Sequence, residues 1–244
     1  MKYVPLISID QTTMKDAYLI TGYQGFGLVG YLTTLHMVRE LELEKIGFIK
    51  TRYMPDITMY TRRHGIQYPF EIYYGKVGYS KLIVIVNNGT PVPRERTEYA
   101  EYIAQLAKEI NTREVILVGG LSHELKEQQE EKYRWIPINN TSIRLDNAKI
   151  LEERHVIGPL ALTMMFTQAY KLNGVVILPF TEPYRPDPRA SAVAVEVISR
   201  ILGLEISIEK LMEESRIIEA IEEERAKIER ALVESEKRSR LTYI

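Results

Sequence analysis

The apolar residues of this chain fall into two patterns, short unbroken runs and longer stretches in which they recur every three or four positions. The unbroken runs are typical of strands buried on both faces, and they lie at residues 17–20, 82–86, 115–118 and 175–180. The longer stretches predict amphipathic helices at residues 28–38, 94–110, 159–172 and 188–202. Strands that alternate with such helices predict an α/β fold in three layers, a largely parallel sheet with helices on both faces.

A different pattern occupies residues 46–74, where apolar and polar residues alternate on either side of His64–Gly65. Alternation with a period of two is typical of strands that expose one face, and the glycine marks a turn between them. We therefore expect an antiparallel ribbon that is appended to the main sheet.

Two of the predicted helices carry signals at their ends. Pro159 suits the first position of one helix, and Asn173–Gly174 follows its last turn. In the next helix Asp187 precedes Pro188, which is the order of an N-cap followed by the first helical residue. We expect that helix to end at about Leu202.

Residues 207–240 contain no glycine or proline and mix ten acidic with eight basic side chains. This composition predicts one helix from Ser207 to about Arg238, roughly 45 to 50 Å long. Leu211, Ile218 and Leu232 recur at heptad-like intervals, which favours contact with another helix of the same subunit or of a neighbour. The predicted organisation is an α/β core at 1–204, the charged helix at 205–240 and a flexible tail at 241–244.

The predicted link between the first strand and the first helix is rich in glycine. Residues 25–30, GFGLVG, have the spacing of a dinucleotide-binding turn. Such a site also needs an acidic residue at the end of the second strand, but the predicted second strand, residues 46–50, is followed by Thr51 and Arg52. Arg52 would suit a 2′-phosphate instead. We favour structural glycines, which let the helix pack closely on the strand, and we predict no bound cofactor.

Composition and net charge exclude further classes of partner. The net charge of −1 lacks the basic excess that nucleic-acid binding needs, so we predict no nucleic-acid partner. No run of about 18 apolar residues is present and the first residues lack a secretion signal, so we expect a soluble, cytoplasmic protein that does not bind membranes. Abundant charged residues without cysteine would suit a thermophile.

A metal site is not expected. The chain has no cysteine, and its four histidines do not show the spacing of metal ligands; they are His36, His64, His123 and His155.

Polar residues follow several predicted strands, at the edge where open α/β sheets bind ligands. These residues are Gln24, Asn88, Ser122, His123, Glu124 and Glu182. In an enzyme, His123 would act as acid or base together with Glu124 or Glu182. The sequence contains neither a G-x-S-x-G nucleophile elbow nor a phosphate-binding P-loop, so we favour ordinary loop residues and expect no catalysis.

The last four residues form a second candidate site: Leu241, Thr242, Tyr243 and Ile244. A tyrosine beside a free carboxylate, on a short extension beyond a long helix, suits a partner pocket that recognises a ring and a terminal charge together.

Four stretches of the sequence together resemble a known family. They are GYQGFGLVG with the helix that follows it, NNGTPVPRE after a strand, VGG at the end of the next strand, and the long charged C-terminal helix. They are similar to the archaeal, PbaB-type members of the proteasome assembly chaperone family. The resemblance implies a fold related to nucleoside phosphorylases, no enzymatic activity, and homo-oligomers, for example tetramers, that bind the α-subunits of the 20S proteasome. Because the sequence lacks an ATP-binding loop, we expect ATP-independent action.

The resemblance also implies a role for the tail. Proteins of this sort dock a C-terminal hydrophobic residue, a tyrosine and a final residue between α-subunits. On this sequence, Tyr243 would insert its ring and the Ile244 carboxylate would pair with a basic residue of the pocket. Thr242 departs from the pattern, which has a larger apolar side chain there, and several tails on one oligomer would offset weaker binding by one.

Two hypotheses therefore stand after the sequence. The first is an assembly chaperone or activator of the proteasome, with the core as scaffold and the tail as docking element. The second is a small-molecule enzyme or sensor of the nucleoside-phosphorylase type, which predicts a deep polar pocket near Asn88 and His123.

Overall fold

The computed structural model describes residues 1–62, 65–221 and 224. Its strands, in chain order, are β1 Lys2–Pro5, β2 Tyr18–Gly22, β3 Glu44–Lys50, β4 Met59–Thr61, β5 Gly65–Gln67, β6 Phe70–Val77, β7 Ser80–Asn87, β8 Glu114–Val118, β9 Leu121–Ser122, β10 Tyr133–Ile138 and β11 Gly174–Thr181. Its α-helices are α1 Val29–Glu40, α2 Arg96–Glu109, α3 Gly158–Ala169, α4 Pro188–Leu202 and α5 over residues 209–221.

Among the described residues, nine strands form one sheet in the order β1-β3-β6-β7-β2-β8-β11-β10, with β9 paired to β11. The central strands β7, β2, β8 and β11 run parallel, and the strands on both flanks are antiparallel. Every residue of β2 and β8 is buried, as the unbroken apolar runs predict.

Helices cover both faces of this sheet. Helices α1 and α4 pack together on one face, and α2 and α3 pack together on the other. Each face has its own apolar core, the first centred on Ile20, Val84 and Ile116 and the second on Leu19, Ile85 and Leu117. The predicted three-layer α/β fold is confirmed.

The predicted antiparallel ribbon is smaller than the alternating pattern indicates. Strands β4 and β5 pair only with each other, Met59 opposite Gln67, and form a separate hairpin. The remaining part of residues 46–74 supplies β3 and β6, which are antiparallel strands of the main sheet. The hairpin stands apart because its apolar side chains do not reach either core. His64 lies outside the described residues.

The helix-end signals act as predicted in α4 and in part in α3. The Asp187 carboxylate accepts a hydrogen bond from the Ala190 amide at 2.9 Å, and Gly203 ends the helix with a φ of 62°. Helix α3 ends at Ala169, three residues earlier than predicted, because Lys171 already adopts a left-handed φ of 58°.

Helix α5 packs on its own subunit over the range that is described. Leu211 and Ser215 are buried, and the Nε2 atom of His36 on α1 lies 2.6 Å from the carbonyl oxygen of Ser207 just before α5 begins. The predicted helix–helix contact is therefore met within the subunit for this part of the segment. The rest of the predicted helix lies outside the described residues, apart from Glu224.

Two ion pairs show the direction of α5. Lys210 pairs at 2.8 Å with Glu40 at the end of α1, and Glu219 pairs at 2.8 Å with Arg189 at the start of α4. Because α1 ends and α4 begins at opposite edges of the sheet, α5 runs towards the edge where the parallel strands end.

Candidate functional site

The parallel strands end at one edge of the sheet, and the glycine-rich turn that follows β2 lies there. A Cβ atom added to Gly22 would lie 2.5 Å from the Cα atom of Gly30, so strand and helix touch through their backbones. Gly27 has a φ of 60° and sits against the side chain of Thr181. These are the structural roles of glycine that the sequence favours.

The amides of this turn already donate to protein acceptors. The Gly25 amide donates to the Tyr23 carbonyl at 2.9 Å, the Gly27 amide to the Pro183 carbonyl at 3.3 Å, and the Leu28 amide to the Gly25 carbonyl at 3.0 Å. A pyrophosphate would need such amides for itself. The turn is therefore closed by the protein's own backbone.

The strand order also argues against a dinucleotide site. In that fingerprint the acidic residue comes from the strand next to the first one. Here β3, the predicted second strand, is separated from β2 by β6 and β7.

A buried polar network joins β2, β7 and α2 at this edge. The Asn87 side-chain amide donates to the Gly22 carbonyl at 2.8 Å and to the Thr21 hydroxyl at 3.1 Å, and the Tyr99 hydroxyl donates to the Asn87 side-chain oxygen at 2.6 Å. Burial raises the pKa of Tyr99 well above its ordinary value, so this hydroxyl keeps its proton. The sequence analysis does not predict this network. It could have been found from Asn87, because a polar side chain at the end of a fully buried run must find hydrogen-bond partners.

Asn88, one of the predicted polar residues, belongs to a second network. Its amide donates to the Tyr68 carbonyl at 2.8 Å and to the Glu71 carboxylate at 3.0 Å, and Gln24 donates to the Asn88 carbonyl at 2.9 Å. Glu71 is buried and pairs with Lys45 at 2.6 Å. Asn88 is therefore held as part of the scaffold.

The structure brings His123 and Glu182 together. The Nδ1 atom of His123 lies 3.2 Å from a carboxylate oxygen of Glu182, and the two side chains are 50% and 43% exposed. Glu124, the other predicted partner, is exposed and its amide donates to the Ser122 hydroxyl at 3.4 Å. The pair therefore lies in open solvent and not in an enclosed site.

A cavity of about 300 Å³ lies beside the turn at the same edge. Its wall includes Gly25, Phe26, Gly120 and Arg96, but neither Asn88 nor His123. This cavity is therefore not the deep polar pocket that the second hypothesis predicts near those two residues.

The described residues contain no group of three or more metal-binding side chains. Within the same part of the chain, no helix is both long enough and apolar enough to cross a membrane. The tail residues Leu241, Thr242, Tyr243 and Ile244 lie outside the described residues.

Comparisons with known proteins agree with this fold. PbaA from Pyrococcus furiosus, an archaeal homologue of proteasome-assembly chaperone, superposes with a TM-score of 0.74 at 25% identity, covering 94% of this chain and 96% of PbaA. PbaB from the same organism, an archaeal proteasome activator, superposes with a TM-score of 0.74 at 21% identity, covering 91% of this chain and 97% of PbaB.

A relative with no assigned function is also found in Methanocaldococcus jannaschii. The uncharacterized protein MJ1210 is 23% identical over 230 residues, which is 93% of this chain and 89% of that protein. The model of the PAC2 family matches residues 19–226, from β2 through the described part of α5. Since this match includes the glycine-rich turn, nearly all of the parallel strands and the five α-helices of the described residues, the chain belongs to the PAC2 family.

Proposed function

We propose that this protein is an archaeal, cytoplasmic, ATP-independent assembly chaperone or activator of the proteasome, which binds α-subunits of the 20S particle through its C-terminal tail. The observation that carries the proposal is the similarity to PbaA at 25% identity over 94% of the chain. In this proposal the protein has no catalytic activity and needs no cofactor.

The glycine-rich turn supports a scaffold role for the core. Its amides bind carbonyl groups of the protein itself, so the element that most resembles a nucleotide site is used to hold β2, α1 and the segment before α4 together. Binding energy alone would then drive the action on the proteasome.

The path of α5 supports delivery of the tail away from the core. The ion pairs with Glu40 and Arg189 lie along the described part of α5, which runs towards the edge where the parallel strands end. In our proposal the chain continues to Tyr243 and Ile244, which enter a pocket between α-subunits, with Leu241 and Thr242 beside the rim.

Exposed apolar side chains support self-association. Such side chains are exposed by half or more just before and within the β4–β5 hairpin and in the described part of α5; they are Ile57, Met59, Tyr60, Ile66, Ile217 and Ile221. Apolar clusters of this kind are typical of interfaces between proteins. A homo-oligomer would present several tails at once and raise their effective concentration at the α-ring.

A pull-down of 20S α-subunits tests the proposal. We expect the full chain to retain α-subunits, and we expect Tyr243→Ala and a chain truncated after Arg240 to lose them. The matched control is Tyr79→Ala, because Tyr79 is a fully exposed tyrosine in the β6–β7 turn. Unchanged retention by both tail variants, with an unchanged oligomer in analytical ultracentrifugation, contradicts the docking role of the tail.

We do not propose an enzyme or sensor of the nucleoside-phosphorylase type, because neither Asn88 nor His123 lines the cavity described above. The Asn88 side chain is held by Glu71 and Tyr68, and the pair His123–Glu182 is open to solvent.

A further inference from the structure

The cavity beside the glycine-rich turn has the size of a small-molecule site. It lies between that turn, the end of β8 and the loop that leads into α3, and its volume is about 300 Å³. An engineered apolar cavity of about 150 Å³ binds benzene, so a cavity of twice that volume accommodates one ring with a substituent. The carboxyl edge of a parallel sheet is also where α/β proteins bind ligands.

Apolar side chains form most of the wall. Those that are buried or half-buried are Leu121, Leu125, Leu151, Val156, Leu160 and Leu178. Phe26 and Ile157, which are 39% and 70% exposed, stand at the entrance. A wall of this kind binds the apolar body of a ligand by removing both surfaces from water.

The wall of the cavity contains an arginine and no carboxylate. Arg96 and His155 line the cavity, and no aspartate or glutamate does. The Nε atom of Arg96 donates to the Pro91 carbonyl at 3.3 Å, which orients the guanidinium group. Within the described chain, no carboxylate lies at ion-pair distance from Arg96. Its terminal nitrogens are therefore available for a charge-assisted hydrogen bond with an anion.

We propose that this cavity binds a small organic acid, an apolar ring or short chain that ends in a carboxylate. The apolar body lies between the leucine side chains of the wall, and the carboxylate accepts hydrogen bonds from Arg96. The proposal concerns binding only, and it does not depend on whether the tail docks on the proteasome.

Titration of the full chain with phenylacetate and with its neutral counterpart phenylacetamide tests this assignment, using calorimetry and ligand-observed NMR. We expect phenylacetate to bind and to raise the melting temperature, because a ligand that binds only the folded state stabilises it. Arg96→Gln should weaken phenylacetate binding about 10- to 100-fold, the usual effect of losing a hydrogen bond to a charged group. The same substitution should weaken phenylacetamide binding less than phenylacetate binding, because a neutral amide oxygen forms a weaker hydrogen bond with a guanidinium group than a carboxylate does.

Two further variants serve as a cavity-filling test and as a control for the change of charge. Leu125→Trp fills the cavity and should abolish binding of both probes. Arg113→Gln makes the same change of charge before β8, at the opposite edge of the sheet, and should alter neither. Melting temperatures of all variants without ligand show whether they fold.

Three results would overturn the proposal. They are the absence of phenylacetate binding to the full chain, equal binding of the two probes, and binding that persists in folded Leu125→Trp. The α-subunit pull-down of Arg96→Gln separates this proposal from the proposed function, since we expect retention equal to that of the unchanged chain.

Discussion

The glycine-rich turn at residues 22–30 and the cavity beside it share residues 23–26, yet the turn is filled by protein atoms and the cavity is not. In the turn, backbone touches backbone and the amides donate to carbonyls of the protein. In the cavity, space for a ring remains and a guanidinium group has no carboxylate partner in the described chain. The difference shows that a motif's spacing reports backbone geometry, whereas a binding site also needs unfilled volume and donors that are not already used.

The largest effect should come from Gly30→Ala. A Cβ atom at Gly30 would lie 2.4 Å from the Val118 carbonyl oxygen and 2.9 Å from the Gly22 Cα atom, so backbone atoms would have to move. Alanine favours a helix over glycine by about 1 kcal/mol, but overpacking against backbone should destabilise the fold by about 3 kcal/mol. Urea unfolding measures the difference in the free energy of unfolding.

Gly25→Ala is the matched control within the same motif. A Cβ atom at Gly25 meets no atom within 4 Å, and its φ of −112° suits alanine. We expect a change within about 0.5 kcal/mol. If Gly25→Ala lowered the free energy of unfolding as much as Gly30→Ala, Gly25 would belong to the packed turn and not to the open cavity.

A smaller loss of stability is expected from Asp187→Ala, which removes side-chain hydrogen bonds beside the glycine-rich turn. The Asp187 carboxylate caps α4 and accepts a hydrogen bond from the Thr181 hydroxyl at 2.8 Å, while its amide donates to the Gly27 carbonyl at 2.8 Å. Loss of the cap should lower the free energy of unfolding by about 1 to 2 kcal/mol. Thermal unfolding that matches the unchanged chain would show that the cap does not hold the turn.

A pH-dependent loss of stability is expected from a surface cluster away from both regions. The Glu127 amide, together with Lys149 and Arg134, lowers the pKa of Glu131 from 4.5 to about 2. Because the folded state holds this carboxylate charged, its stabilising effect is present above pH 4.5 and is lost as the pH falls towards 2. The melting temperature should fall less steeply over that range in Glu131→Gln than in the unchanged chain, and equal slopes would contradict the assignment.

The smallest effect is expected from His123→Ala. The ion pair with Glu182 is about half exposed, and pairs in solvent contribute little. We expect the free energy of unfolding at pH 7 to change by less than about 0.5 kcal/mol. A larger loss would show that this pair, and not only the packed turn, holds the edge of the sheet.

The sequence by itself determined the elements whose causes are local. The apolar runs gave strands β2, β7, β8 and β11, and Asp187 and Pro188 marked the start of α4 through a cap and a fixed backbone angle. The family resemblance rests on other local stretches: the glycine-rich turn, NNGTPVPRE, VGG and the charged C-terminal helix. Local signals suffice here because burial on both faces and helix capping leave a direct pattern in neighbouring residues.

Only the tertiary structure decided how distant residues meet. It placed β3 beyond β6 and β7, paired His123 with Glu182, and left Arg96 in the wall of a cavity built from separate loops. Spacing along the chain does not encode strand order or the volume left between packed loops, since both depend on how whole layers fit together. The direction of α5 along its own subunit is also a tertiary feature, seen where its side chains pair with Glu40 on α1 and Arg189 on α4.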